Sequence, residues 1–404
     1  MTRSTRPAKW VLPLALVSAL ALTACSNSSN SNGASSASSG GGLGGSSSGQ
    51  TYKIAFEGPL SGDNQQLGIN EVNAVQVAID EANKSGNLGF TLELVRADDQ
   101  GDPAIAPTAA AKVLQDPAVL GVVGPSFSGA TKAVATNYGQ ANMAIISPSA
   151  TNDTLSTSGF STFHRVVPPD SLEGNELAAF LASKGYKKMV VIDDLSDYGK
   201  GVADTVQSAL EKAGVQVQRL GVDAKTTDYG ATATSVVSSG AQAMFYGGYD
   251  AQAGQLARAL QTAGFNGDKY TGNGGKSSVF TKGAGAAGDG WYFSCGCSDA
   301  VTAPAAKDFT AAYKAAFNTD PSTYSPEAYD ATNAMIEAIK TAAKDGAPTR
   351  KAVADAVDKL DYKGITTEVK FDKSGEVDAS AATVNLFTEK GGKIVLVGNI
   401  RELS

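Results

Sequence analysis

From Thr51 onward the chain alternates two kinds of apolar spacing. Tyr52-Lys53-Ile54-Ala55-Phe56 reads as a strand, and Leu67 to Ala82 carries Ile69, Val72, Val75 and Ile79 at helical intervals. Phe90–Val95 reads as a strand and Ala104–Leu114 as a helix opened by Pro103. Val119–Val123 is an uninterrupted apolar run of the kind that fills a buried strand, and it precedes a helix from about Gly129 to Gln140 and a strand over Met143–Ile146. The alternation restarts with strands at Lys188–Ile192, Val215–Val222 and Ala241–Tyr246. Helices at Gly199–Lys212, Tyr229–Ser238 and Gln252–Ala263 lie between and after them. Short strands follow at Tyr270-Thr271 and Trp291–Phe293, then helical stretches at Ala303–Phe317, Pro326–Ala343 and Arg350–Leu360. The tail turns extended near Thr367–Phe371, Thr383–Phe387 and Lys393–Val397. Strand–helix repetition of this kind predicts two α/β units, each a parallel sheet covered by helices on both faces. They join near Val166–Asp170 and Ser294–Val301. The last strands return to one of the units, so the lobes are expected to be discontinuous in sequence.

The first fifty residues follow a different pattern. Arg3, Arg6 and Lys9 precede an apolar run from Trp10 to Leu22, too short for a comfortable membrane span and built like an export signal. It ends in Leu22-Thr23-Ala24-Cys25, small residues before a cysteine, which resembles a lipobox in which Cys25 is lipidated. Residues 26–49 are almost wholly Ser, Gly, Asn and Ala, a composition that cannot bury apolar surface and serves as a tether. The expected layout is a signal peptide over 1–24, a lipidated linker over 25–50, and a folded body beyond. Removing Arg3, Arg6 and Lys9 leaves that body more acidic than the whole-chain charge of −7, so anionic lipid does not attract it and the acyl anchor has to hold it.

In open parallel sheets, ligands gather beyond the carboxyl ends of strands. Gly124-Pro125-Ser126-Phe127-Ser128-Gly129 follows the third strand and opens a helix, whose N-terminal N–H groups suit a carboxylate or phosphate. Ala130 stands where a P-loop requires lysine, which disfavours a nucleotide. The plainer reading makes Ser128 an N-cap. Ser147-Pro148-Ser149-Ala150-Thr151-Asn152 follows the fourth strand. With the first loop it could set Ser128, Ser149 and Thr151 around one anion. In the second unit Asp197-Tyr198-Gly199 and Tyr246-Gly247-Gly248-Tyr249 end strands at matching positions.

These loops, with Gly58-Pro59-Leu60-Ser61-Gly62 and Asp98-Asp99 followed by Asp102-Pro103, resemble the leucine/isoleucine/valine-binding family, the type I solute-binding proteins of ABC importers. The resemblance runs from Thr51 to Val397. It implies a type I periplasmic-binding-protein fold: two doubly wound parallel-sheet lobes, 51–166 plus 299–375 and 167–298 plus 376–404, joined by a three-stranded hinge. It implies hinge closure on an amino acid or a related small carboxylate or amide, with an ABC permease and its ATPase subunits as partners, no cofactor, and an exported monomer at the outer face of the membrane. Ser128, the backbone of Ser149 and Ala150, and Thr151 would take the ligand carboxylate. Tyr198 and Tyr249 would close over it, and Leu67 and Phe127 would border its side chain. One position departs. Where the family carries an acid for the ligand ammonium, this chain has Asn273-Gly274 beside Lys276, so little discrimination between an amino acid and its des-amino analogue is expected unless Asp250 or Glu327 substitutes.

Counting narrows the remaining chemistry. Of 404 residues one is histidine, His164, and three are cysteines, which leaves no multi-histidine centre and no Cys₄ zinc site. No metal site is expected: Asp98, Asp99 and Asp102 lack the EF-hand spacing and read as a polar strand-end loop. Cys295-Gly296-Cys297 reads as a small disulfide ring outside the cytoplasm, ahead of a redox pair or a metal ligand pair. The nucleophile elbow Gly-x-Ser-x-Gly is absent, which disfavours an exported hydrolase, and no basic run follows the first ten residues, which disfavours nucleic acid. A binding protein rather than an enzyme is expected, with a sensor subunit for a membrane receptor as the alternative.

Overall fold

The computed structural model describes residues 49–378 and 382–403; the signal segment, Cys25 and nearly all of the Ser/Gly linker lie outside them. Five strands, β1 (Thr51–Gly58), β2 (Thr91–Asp98), β3 (Val119–Val123), β4 (Ala144–Ser147) and β5 (Phe163–Arg165), form the first sheet in the order β2-β1-β3-β4-β5, all parallel. The second sheet uses β6 (Lys188–Asp193), β7 (Gln216–Gly221), β8 (Ala243–Gly247), β9 (Asp268–Thr271) and β10 (Trp291–Cys295). A short pair, β11 (Tyr362–Lys363) and β12 (Glu368–Val369), stands apart. The hairpin β13 (Asn385–Lys390) and β14 (Lys393–Asn399) then extends the second sheet antiparallel to β10, giving β14-β13-β10-β9-β8-β6-β7. Strands β3, β4 and β8 are buried along their whole length, as fully covered parallel strands require.

The first sheet is covered in part by its neighbours in sequence and in part by a helix far along the chain. Helix Ser325–Ala342 lies on it, and Met335, Ile336 and Ile339 pack with Ile54, Phe56, Leu120 and Val123. The approach is close: a Cβ on Gly121 would stand 2.3 Å from the Met335 sulfur. Asn70 in helix Gln65–Ser85 fixes the register, its Nδ2 donating to the Thr323 carbonyl (3.3 Å) and its carbonyl accepting from Ser325 Oγ (3.0 Å).

Among the elements absent from the sequence reading are β5 and the helix Asp170–Ser183. They carry the chain from one sheet to the other through Val166–Pro169. It returns after β10 through Gly296–Ala303, where Cys295 and Cys297 form a disulfide. Gly296 lies against the outgoing crossing, where a Cβ would stand 2.3 Å from Pro168 Cγ. Ser128 is not an N-cap: it is the first residue of its helix, and its hydroxyl accepts from the Asn152 amide of the neighbouring loop (3.2 Å).

Several acids are buried in this framework. Burial pushes Glu57 and Glu71 up to about 8, although Glu57 accepts from the Tyr138 hydroxyl and Glu71 from that of Ser126. Burial likewise raises Asp99, Asp250 and Glu327 to about 7. A carboxyl held above its unfolded value keeps its proton only in the folded chain. Its contribution is complete below about pH 4 and is lost as pH rises through the folded value, at about 1.4 kcal/mol per pH unit for each such group. Thermal midpoints of the unliganded chain should therefore fall from pH 5 to pH 9, and Glu57→Gln and Glu71→Gln should flatten the slope. A midpoint that is level or rises across that window contradicts the assignment.

Candidate functional site

The loop after β3 is shaped by Gly124. Its φ is +115°, and a Cβ there would stand 2.2 Å from the Glu57 carbonyl oxygen, so only glycine lets the chain turn so near β1. The two hydroxyl-rich loops are then clamped together. Ser147 Oγ donates to the Pro125 carbonyl (2.7 Å), Ser149 Oγ to the Ser126 carbonyl (2.8 Å), and the Ala150 amide to Ser147 Oγ (3.0 Å). Ser149 thus uses its hydroxyl to hold the loops, and its amide makes a long contact to Ser147 Oγ (3.5 Å). Thr151 differs: its hydroxyl is buried and has no hydrogen-bond partner.

That hydroxyl faces the carboxyl of Asp170, a residue the sequence reading passed over. Asp170 is fully buried, and neither of its carboxyl oxygens has a partner; the two side chains face each other without closing a hydrogen bond of standard geometry. The Asp170 amide donates to the Thr151 carbonyl (2.8 Å), fixing the crossing to the loop. Burial pushes the Asp170 carboxyl well above the usual range. A buried carboxyl with two open oxygens is a strong acceptor for a cation that can restore its charge.

The aromatic residues come from both lobes. Phe127 stacks on Tyr249 with ring centroids 4.1 Å apart and planes 14° from parallel, and Tyr198 leans on Tyr249 at 5.2 Å. Leu67, Phe127, Ala150, Tyr198 and Tyr249 share one apolar cluster. Polar contacts also cross the cleft: Asn152 Nδ2 donates to the Asp197 carbonyl (2.6 Å) and Lys132 pairs with the Asp197 carboxylate (2.7 Å). These contacts join the two lobes across the cleft.

The site's departing position is filled differently. Asn273 Nδ2 donates to Glu173 (2.7 Å), which also accepts from the Asn273 amide, Ser294 Oγ and the Gly296 amide, so both its oxygens are occupied. The Gly274 amide donates to the Tyr198 hydroxyl (3.0 Å), positioning that ring. A Cβ on Gly274 would stand 2.6 Å from Tyr198 Cε1 and 2.9 Å from the Gly248 carbonyl oxygen, so an acid does not fit there with Tyr198 in place. Lys276 directs its ammonium to Thr323 Oγ1 (3.2 Å) and over the Phe387 ring (4.0 Å). Of the two substitutes expected from sequence, Asp250 accepts from Ser277 Oγ and the Ala251 amide, and Glu327 accepts from the Ser298 amide with one oxygen left unpartnered. Among the described residues no group of three metal-ligating side chains occurs.

Two sheets with strand-end loops facing across a closed, aromatic-lined cleft define the two-lobed architecture of type I periplasmic binding proteins. Comparisons with known proteins agree. The model of the family described as "Periplasmic binding protein" matches residues 51–393. The leucine-, isoleucine-, valine-, threonine- and alanine-binding protein of Pseudomonas aeruginosa is 30% identical over 343 residues, 82% of this chain and 88% of that one. The leucine-specific-binding protein of Salmonella typhimurium is 29% identical over 338 residues, covering 80% and 88%. Among solved structures, the branched-chain amino acid transporter substrate binding protein LivJ of Streptococcus pneumoniae, in complex with isoleucine, superposes with a TM-score of 0.78. It is 30% identical, over 86% of this chain and 100% of that one. The chain belongs to the periplasmic binding protein family, among the solute-binding proteins of branched-chain amino-acid ABC transporters. It is a binding protein and not an enzyme, and membership supports a place outside the cytoplasm.

Proposed function

We propose that this chain binds a branched-chain amino acid between its lobes and delivers it to an ABC permease with its ATPase subunits. The observation that carries the reading is the pair formed by Thr151 and Asp170, a hydroxyl and a carboxyl buried side by side with open hydrogen-bonding capacity. The ligand carboxylate lies at Ser128, Thr151 and the backbone of Ser149 and Ala150. Its ammonium meets Asp170. Leu67, Phe127 and Tyr249 border its aliphatic side chain, while Tyr198, held by the Gly274 amide, closes the cleft. Asn273 acts through Glu173 rather than on the ligand. Closure is a two-state hinge motion of lobes 51–166 plus 299–375 and 167–298 plus 376–404, biased by contacts that only the closed state offers. The monomer is tethered to the outer face of the membrane through lipidated Cys25.

Calorimetric titration with L-leucine, L-isoleucine and L-valine tests the proposal. Thr151→Ala should weaken binding by about 1–3 kcal/mol, the range for hydrogen bonds to charged groups. No heat with any of the three, or an unchanged constant in Thr151→Ala, overturns it. In cells, Cys25→Ser should move the protein from the membrane to the soluble fraction.

A further inference from the structure

We propose that the mouth of the closed cleft holds a second binding site, for a primary alkylammonium cation supplied as a free amine, and that occupancy of this site favours the closed state. A cavity of about 510 Å³ opens there. The first lobe lines it with Asp63, Gly101 and Asp102, and the second with Asp194, Asp223 and Gln252. The stacked rings of Phe127 and Tyr249 also line it, whereas Ser128, Thr151, Asp170 and Tyr198 do not. The stack therefore walls this space from the site proposed above, and an ammonium reaches it on its own molecule.

One corner of the cavity is built for a donor. Asp194 is 1% exposed; its Oδ1 accepts from the Ser196 amide (2.9 Å) and Ser196 Oγ, and its Oδ2 has no partner. Gln252 is 6% exposed; its Nε2 donates to the Ala224 carbonyl (3.1 Å), and its Oε1 has no partner. The buried hydroxyls of Tyr229 and Tyr246 face each other in the field of the same Asp194 carboxylate, behind the lining of the cavity. A carboxylate oxygen and an amide oxygen both accept hydrogen bonds, and an alkylammonium brings three N–H donors. An anion meets Asp63, Asp102, Asp194, Asp197 and Asp223 against Lys225 in the lining, and this balance disfavours it. A multivalent metal would need more carboxylates than this corner supplies.

The corner lies wholly in the second lobe, so it can bind an amine by itself. The coupling to the main cleft arises because the opposite wall belongs to the first lobe. A cation that touches both walls favours closure and, by reciprocity, tightens the amino acid. That part rests on the function proposed above.

The probe is n-butylamine at neutral pH, with sodium chloride at equal ionic strength and 1-butanol as controls. In the intact folded chain n-butylammonium should tighten L-leucine binding by about fivefold or more, the lower end of ordinary allosteric coupling. Neither control should do so. Asp194→Asn, which keeps an acceptor for Ser196, and Gln252→Leu, which removes the open amide oxygen, should abolish the effect and leave leucine binding without amine unchanged. An unchanged leucine constant with n-butylammonium, or an effect that survives in both variants, overturns the coupling. If leucine fails to bind at all, the proposed function falls. Direct titration of n-butylammonium then decides the second site alone: heat that disappears in the two variants supports it, and no heat overturns it.

Discussion

Arg165→Met is expected to lower the stability of the chain by about 3–5 kcal/mol and to abolish amino-acid binding in whatever remains folded, because the change strips one partner from a buried ion pair. The Arg165 guanidinium is wholly buried and ties together three separate stretches of chain. Its Nη1 donates to the Ala150 and Asn152 carbonyls, both at 3.0 Å, and so holds the loop that carries Thr151. Its Nε donates to Glu376 Oε2 (2.8 Å) and its Nη2 pairs with Glu376 Oε1, while its own amide donates to the Gly375 carbonyl (3.0 Å). Methionine fills the volume and leaves two carbonyls and a carboxylate without donors. Urea denaturation reads the stability and calorimetry the binding. A variant within about 0.5 kcal/mol of the parent, the range of ordinary surface changes, would show that the network is not a structural support. Glu376→Gln keeps acceptors for the guanidinium and should be milder.

The second large effect concerns the ligand's charge. The parent chain should prefer leucine over 4-methylpentanoate, its analogue without the ammonium, by at least about a hundredfold, near 2.7 kcal/mol. In Asp170→Asn that preference should collapse to within about tenfold, since truncating one member of a buried charge pair typically costs several kcal/mol. This outcome differs from what Asn273 and Gly274 suggest in the sequence, where the missing acid pointed to little discrimination. Asp170 changes the expectation because its two carboxyl oxygens are buried beside Thr151 without partners. A parent chain that binds both compounds equally, or an Asp170→Asn variant that keeps the full preference, removes Asp170 from the site.

Most of the architecture is legible in the chain because parallel strands buried on both faces have to be continuous apolar runs, as Val119–Val123 and Ala243–Gly247 are. What stays hidden has a common physical cause: polar residues on inward-facing positions. Helix Asp170–Ser183 buries Asp170 and Glu173 alongside Leu177, Phe180 and Leu181, so its apolar stripe is interrupted where the site begins. Pro168-Pro169 before an acid, followed by the Leu177/Phe180/Leu181 spacing, was the available signal. Strand β5 is three residues long and carries His164 and Arg165, polar residues that pair with Asp358 and Glu376. The two hydroxyl loops could be placed at strand ends from sequence. Which hydroxyl holds the scaffold and which stays open could not, because that division depends on the Ser126 carbonyl meeting Ser149 across two loops.

The seating of helix Ser325–Ala342 against β1 and β3 bears on how the polypeptide is made. A ribosome releases the strands of the first sheet long before it releases Met335, Ile336 and Ile339. Until then Ile54, Phe56, Leu120 and Val123 have only part of their cover, from Val72, Val75 and Ile79 of helix Gln65–Ser85. The hairpin β13–β14 imposes the same delay on the second sheet, whose edge is finished only near the carboxyl terminus. Neither sheet is fully covered until these later segments have been made, so both halves of the molecule depend on contacts of long sequence separation, which slow folding.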